Sequence, residues 1–174
     1  MLRGHDITLR SPIPEDAALL TEYLRTVSGE CPYLMHDPDE INFTVEEERE
    51  FINSRNGSED SVMILAFSDG EFAGSCSFES MGRCGKRYRH RMDIGISLLE
   101  RFTGFGLGRL MLERLLQKAK DEGFEQAELS VVDENERAIA LYRKLGFEEC
   151  GHMPRCNKYE DGTYTGDIFM VKLL

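Results

Sequence analysis

The sequence predicts an α/β (α+β) protein with a mixed β-sheet and the element order β-α-α-β-β-β-α-β-α-β-β. Two observations lead to this class. A hairpin signal, Ser68-Asp69-Gly70-Glu71, lies between two apolar segments, and a hairpin requires antiparallel strands. Further on, an amphipathic helix separates two strand-like segments, and a β-α-β unit requires a parallel crossover. The sheet should therefore contain both kinds of pairing.

The first half of the chain is predicted to hold two helices and four strands. Pro12 and Pro14 precede the first helix, and Thr44 and Glu47 have the spacing of a capping box at the start of the second. Segment 28–43 is rich in proline, glycine and acidic residues, which predicts an irregular connection. The predicted elements are strand 7–10, helix 15–27, helix 44–54 and strands 62–67, 72–78 and 90–98.

The last of these strands has a clear alternation. Apolar Met92, Ile94, Ile96 and Leu98 are separated by smaller or polar residues. Because successive strand side chains point to opposite faces, Asp93 should face away from the larger apolar side.

The second half is predicted to alternate helices and strands. Leu112, Leu115, Leu116 and Ala119 form one face of a helix over 108–122, which Gly123 ends. A second helix over 135–145 has its apolar residues at offsets 0, 3, 4 and 7, and strand 127–132 lies between the two helices. Two strands close the chain around a turn at 160–163.

Length and composition are consistent with one domain over residues 1–174, because 41% hydrophobic and 30% charged residues describe a globular protein. With 32 acidic and 21 basic residues the net charge is −11, which opposes nucleic-acid binding and favours cationic partners such as amines. No apolar run approaches the roughly 20 residues that span a bilayer, and the N-terminus lacks a secretory signal pattern. We therefore expect a cytoplasmic protein without membrane association.

No metal site is predicted from the cysteine and histidine positions. The five cysteines are scattered without CxxC spacing, and neither HxxxH nor HExxH occurs. Reduced structural thiols are the expected state.

A glycine-rich segment precedes the first helix of the second half. In Thr103-Gly104-Phe105-Gly106-Leu107-Gly108-Arg109, the absence of side chains lets backbone N–H groups converge on an anion, and the helix dipole adds attraction. A pyrophosphate is the natural ligand, while a tightly packed turn is the structural alternative. Arg109-Leu110 excludes a Walker loop, and Arg109 in place of a third glycine argues against a Rossmann site.

A second motif follows, Asn135-Glu-Arg-Ala-Ile-Ala-Leu-Tyr142-Arg-Lys144-Leu-Gly146-Phe147. Together with the glycine-rich segment about 27 residues earlier, it resembles the GNAT superfamily of acyl-CoA N-acetyltransferases. The element order and the opening ITLRSPIPEDAALL are also similar to that family. The resemblance implies a mostly antiparallel, twisted sheet flanked by helices. It also implies an acetyl-CoA-dependent N-acetyltransferase that needs no metal.

The resemblance also implies site residues. Strand residues 96–98 would pair with the pantetheine arm, and residues 104–109 would hold the pyrophosphate. Tyr142 would be the acid that protonates the departing thiolate, and Asp93 is the candidate base. The residues implied for cofactor binding are Ile96, Ser97, Leu98, Gly104, Phe105, Gly106, Leu107, Gly108, Arg109, Asn135 and Lys144. The family's usual Arg or Gln at the start of the loop is Thr103 here.

Structural roles remain open for several of these residues. Asn135 is a natural helix cap, Tyr142 lies on the apolar stripe of its helix, and Arg109 and Lys144 could face solvent. Glu128 or a water chain could replace Asp93 as the base. The acceptor is expected to be a small cationic amine, an antibiotic or a peptide amino group. A non-catalytic acyl-CoA sensor of the same fold is the alternative function, and a homodimer is possible.

Overall fold

The computed structural model describes residues 2–174. Within them lie seven strands and four α-helices in the predicted order. In chain order they are β1 (Ile7–Arg10), α1 (Ala17–Glu30), α2 (Val45–Arg55), β2 (Ser61–Ser68), β3 (Glu71–Ser80), β4 (Arg91–Leu98), α3 (Leu107–Asp121), β5 (Gln126–Val132), α4 (Glu136–Lys144), β6 (Glu148–Lys158) and β7 (Tyr164–Leu173).

The strands form one mixed sheet, which confirms the predicted fold class. Its order is β1-β2-β3-β4-β5-β7-β6, and all neighbours are antiparallel except β4 and β5. The hairpin between β2 and β3 turns at Asp69 and Gly70, both with positive φ, as a two-residue type I′ connection requires.

The helix boundaries differ from the prediction mainly at α1. This helix continues to Glu30, three residues into the segment expected to be irregular. A carboxylate oxygen of Glu30 accepts a 2.7 Å hydrogen bond from the main-chain N–H of Glu100, which fixes the end of α1 on a distant loop. The capping box of α2 is formed as predicted, with the Glu47 N–H donating to the Thr44 hydroxyl.

Helices cover the two faces of the sheet in pairs. The larger core packs α3 and α4 against the face that carries Phe78, Met92 and Leu129. A smaller core packs α1 and α2 against Leu65 and Phe72 on the opposite face. Within residues 2–174, no helix has both the length and the apolar character needed to cross a bilayer.

Candidate active site

Strands β4 and β5 diverge after a short parallel contact. They pair at Arg91 with Gln126, Met92 with Ala127 and Asp93 with Glu128, and at no later position among residues 2–174. β4 continues to Leu98 along β3, while β5 continues to Val132 along β7. The facing edges of both strands are therefore open beyond Asp93, and an open strand edge can pair with an extended ligand.

The open edge of β4 leads into the glycine-rich segment and then into α3. Gly106 is the N-cap of α3 with φ 101° and has no side-chain capping bond. The first intrahelical bond runs from the Leu110 N–H to the Gly106 carbonyl at 3.1 Å. The three preceding N–H groups therefore have no helical acceptor, and they lie at the positive end of the helix dipole. Such a helix start can bind an anion.

Gly108 brings the strand, the loop and α4 together. A Cβ atom at this position would lie 3.3 Å from Leu98 Cδ1 and 3.6 Å from both Ile96 Cδ1 and Leu141 Cδ2. Only a residue without a side chain allows α3 to approach this closely without a shift of its neighbours. The structure thus places the predicted strand residues directly beside the predicted loop.

The two basic residues proposed for this site are solvent-exposed. Arg109 lies in the first turn of α3, and its Nε donates to Glu113 Oε1 at 2.8 Å. Lys144 is the last residue of α4. Their roles at a phosphate stay predictions.

Asn135 lies at the N-terminal end of α4, and Tyr142 lies near the other end of the same helix. Asn135 is the N-cap, since its Oδ1 accepts the Ala138 N–H at 3.1 Å. This is the capping role that the sequence left open, and it leaves the side-chain NH₂ group available to a ligand.

Tyr142 is buried in the larger core, where its ring packs edge-on against Phe147 at 5.8 Å between centroids. Its hydroxyl makes no hydrogen bond with residues 2–174. In this part of the chain, every side-chain oxygen that is fully enclosed has a hydrogen-bond partner. The hydroxyl must therefore reach an open surface. Burial, followed by the nearby Asp93 charge, raises the pKa of Tyr142 to about 12.

Asp93 lies at the apex of the gap between β4 and β5. As predicted, it faces away from Met92 and Ile94, which are buried on the α3 side. Its side chain is accessible to solvent but recessed among protein atoms. This partial desolvation, with further contributions from the charges of Glu128 and Glu79, raises the pKa of Asp93 to about 6.

An open cavity of about 870 Å³ lies on the Asp93 side of the sheet. Residues of β4, β5, β6 and β7 line it, whereas α1 and α2 pack against β2 and β3. Its lining includes Asp93, Glu128, Ser130, Phe169 and Val171. The cavity therefore opens onto Asp93 from one face of the sheet, while Tyr142, in the core on the other face, is close enough for the Asp93 charge to raise its pKa.

Glu128 is a weaker candidate base than Asp93. Its carboxylate binds the Arg91 guanidinium with two hydrogen bonds, and this pairing lowers the pKa of Glu128. A carboxylate held by an arginine is a poorer proton acceptor than one without such a partner.

Tyr23 of α1 is a site residue that the sequence did not indicate. Its hydroxyl donates to the Ser97 carbonyl oxygen at 2.7 Å and lies 2.7 Å from the Ser97 hydroxyl. Burial raises the pKa of Tyr23 to about 12, so the hydroxyl stays protonated. A tyrosine on the apolar face of a helix needs a polar partner, but the sequence cannot say which.

Residues 2–174 hold no cluster of histidine, cysteine and acidic side chains suited to a metal ion.

An open strand edge beside an uncapped, glycine-rich helix start is an arrangement that can bind an extended ligand with an anionic group. The model of the acetyltransferase (GNAT) family matches residues 25–147, most of the chain. The protein belongs to this family, as the resemblance of its motifs predicted.

Known relatives agree with this assignment. The structure of a GNAT-family acetyltransferase from Streptococcus pneumoniae superposes with a TM-score of 0.91 at 34% identity, covering 97% of this chain and 100% of that one. A GNAT-superfamily phosphinothricin acetyltransferase from Sinorhizobium meliloti, in complex with acetyl-CoA, has a TM-score of 0.83 at 24% identity over 97% and 88% of the two chains.

A curated relative is similar over a shorter region. The L-methionine sulfoximine/L-methionine sulfone acetyltransferase of Pseudomonas paraeruginosa is 27% identical over 94 residues. The match spans 54% of this chain and 54% of that relative, so about half the length of each protein is compared.

Proposed function

We propose that this protein is an N-acetyltransferase that moves the acetyl group of acetyl-CoA to a primary amine by direct attack. The observation that carries the proposal is the divergence of β4 and β5 along an edge that ends at the uncapped start of α3. Membership of the acetyltransferase family and the acetyl-CoA complex of a relative with the same fold support it.

The residues of the gap suit acetyl-CoA chemically. Main-chain groups of Ile96, Ser97 and Leu98 offer an extended edge for the amide-containing pantetheine arm. The N–H groups at the start of α3 offer donors for the pyrophosphate, and Asn135 offers an amide donor nearby. When bound, acetyl-CoA supplies an activated acetyl thioester.

Asp93 is proposed to accept the proton of the incoming ammonium group. With a pKa of about 6, it is mostly ionised at neutral pH and is a stronger base than an ordinary aspartate. An α-amino group with a pKa of about 7.7–8.0 lies closer to this value than a lysine ammonium at about 10.4. The smaller difference makes proton transfer from an α-amino group less costly.

Tyr142 is proposed to donate a hydrogen bond from its hydroxyl to the departing sulfur. The raised pKa keeps the hydroxyl protonated throughout the physiological range. Because a thiol has a pKa of about 8.5, full proton transfer from Tyr142 is uphill. Hydrogen bonding to the developing thiolate is therefore its larger contribution, and the phenol carries its proton at Oη.

The acceptor proposed is a small molecule with a primary amino group. The cavity beside Asp93 is large enough for a small molecule. Its lining holds the acidic residues Asp93, Glu128 and Glu148 and the basic residues Arg91 and Lys172, so one negative charge is left in excess and suits a cation. The names of relatives point to amino-acid derivatives, since one acts on L-methionine sulfoximine and L-methionine sulfone. Amino acids and their analogues therefore come first among candidate acceptors.

The test is thiol release from acetyl-CoA in the presence of an amine panel. The panel should hold amino acids and their sulfoxide, sulfone and sulfoximine analogues, polyamines, aminoglycosides and short peptides. We expect acceptor-dependent release of free CoA with at least one class, and loss of that release in a double Asp93→Asn/Tyr142→Phe variant. Tight CoA binding without release for any amine would contradict the enzyme and support the non-catalytic sensor.

A further inference from the structure

A short turn at the N-terminus lies against the glycine-rich loop, although about 100 residues separate them in the sequence. The turn is closed by two main-chain bonds, from the Leu2 N–H to the His5 carbonyl at 2.9 Å and from the His5 N–H to the Leu2 carbonyl at 3.0 Å. It precedes β1 and belongs to neither helical layer.

Asp69 holds this turn in place from the β2–β3 hairpin. One carboxylate oxygen of Asp69 lies 2.7 Å from His5 Nδ1, and the other accepts the Asp6 N–H at 2.8 Å. The Asp69 N–H in turn donates to the Asp6 carbonyl at 2.8 Å. One bond therefore holds the His5 ring, and two hold the main chain of the next residue, Asp6.

The fixed turn contacts the two loop residues that come directly before α3. The His5 ring lies 5.0 Å from the Phe105 ring between centroids, at an angle of 37°. A Cβ atom on Gly106 would lie 4.0 Å from Leu2 Cδ1. Nothing lies within 4 Å of the corresponding position on Gly104, so the loop is open on that side.

We propose that His5 is a positioning residue for acetyl-CoA, acting through Phe105 to hold the anion-binding loop in its binding conformation. This inference rests on the proposed function. A loop that is ordered before binding does not lose conformational freedom when the ligand arrives, so the ligand binds more tightly. His5 itself needs no contact with the ligand for this effect.

The experiment is calorimetric titration of the full chain with CoA. Because aromatic contacts of this kind stabilise by about 0.5–1.5 kcal/mol, His5→Ala should raise the dissociation constant roughly two- to tenfold. Asparagine at position 69 can adopt the same left-handed backbone conformation, but it lacks the charged carboxylate that holds His5 and Asp6. Asp69→Asn should therefore also raise the dissociation constant for CoA. His5→Phe keeps the ring against Phe105 and should restore most of the affinity.

His36 provides a matched control. It is also an exposed histidine near a carboxylate, with Nδ1 3.7 Å from Glu40, but it lies in the α1–α2 connection. His36→Ala should leave CoA affinity unchanged. If a panel acceptor is known, His5→Ala should raise the KM for acetyl-CoA while kcat stays the same, a split that general destabilisation would not produce.

The possible failures are distinguishable. If the wild-type protein binds CoA and His5→Ala binds it equally well, the positioning role is overturned and the proposed function stands. If His5→Phe is as weak as His5→Ala, the ring contact is not the cause and the inference is also wrong. If the wild-type protein does not bind CoA at all, the proposed function fails and takes this inference with it.

Discussion

Asp93 owes its properties to a row of three acidic residues on adjacent strands. Glu79 on β3, Asp93 on β4 and Glu128 on β5 lie directly opposite one another. Arginines pair with the two outer carboxylates, while the Asp93 carboxylate has no ion pair or hydrogen bond within residues 2–174. Desolvation, followed by the charges of Glu128 and Glu79, raises the pKa of Asp93, while the Arg83 charge opposes this rise.

Replacing Asp93 tests its role as the base. In the wild-type protein, kcat/KM should fall as the pH drops through about 6, because the carboxylate becomes protonated. Asp93→Asn should lower kcat about 10²- to 10⁴-fold at neutral pH and remove this acidic limb. The variant should also unfold at a higher temperature at pH 7, since it removes a charge that repels its neighbours.

The control for Asp93→Asn is Asp121→Asn at the far end of α3, which should leave the pH profile unchanged. An Asp93→Asn variant with wild-type kcat would assign the proton transfer to water or to another residue.

Tyr142 can be tested by removing one oxygen atom. Tyr142→Phe should lower kcat about tenfold or more, because it deletes the hydrogen bond to the departing sulfur. CoA affinity should barely change, because the ring and its packing against Phe147 remain. Steady-state kinetics and calorimetry measure the two quantities, and Tyr88→Phe on the surface is the control. Unchanged turnover would remove Tyr142 from the mechanism.

At the scale of elements, the start of α3 combines backbone conformation with ligand binding. Gly106→Val would place a β-branched side chain at φ 101°, in the space before the open N–H groups. We expect calorimetry to show loss of CoA binding. Gly57→Val has a similar backbone strain at φ 84° outside the site, and it should bind CoA normally. Normal binding by Gly106→Val would argue against this loop as the phosphate site.

The sequence predicted elements better than it predicted how they meet. Hydrophobic periodicity and turn residues located every strand and helix, because these signals are local. The bond from Glu100 to Glu30, the contact of Tyr23 with Ser97 and the contact of His5 with Phe105 each join residues 70 or more positions apart. No local pattern encodes such pairs, so the end of helix α1 was predicted three residues too early and Tyr23 was not recognised.

The divergence of β4 and β5 was not indicated by any pattern in the sequence; the family resemblance implied only that strand residues 96–98 would pair with the pantetheine arm. The alternation of apolar residues from Met92 to Leu98 continues beyond Asp93, where the pairing of β4 with β5 ends. Each residue still faces one side of the sheet or the other. Side-chain burial therefore fixes the strand without fixing its partner. The position of Asp93 at the apex follows from the register, which the sequence alone does not give.

At the scale of the whole molecule, the sheet has two segments. One contains β1, β2, β3 and β4, and the other contains β5, β7 and β6; three residue pairs between β4 and β5 join them. A ligand that pairs with the open edge of β4 and contacts Asn135 beyond β5 would connect the two segments. Binding to the folded state alone adds about 2.7 kcal/mol of stability at a ligand concentration 100 times the dissociation constant. For a chain of this size, the melting temperature should then rise by roughly 5–10 °C.

Thermal unfolding with CoA at this concentration checks the expectation directly. Gly57→Val should show the same rise above its own ligand-free melting temperature, whereas Gly106→Val should show none. His5→Ala should show a reduced rise that recovers at higher CoA concentration, because its loop must be ordered during binding. An equal rise in Gly106→Val would mean that CoA stabilises the protein from a place other than the gap between β4 and β5.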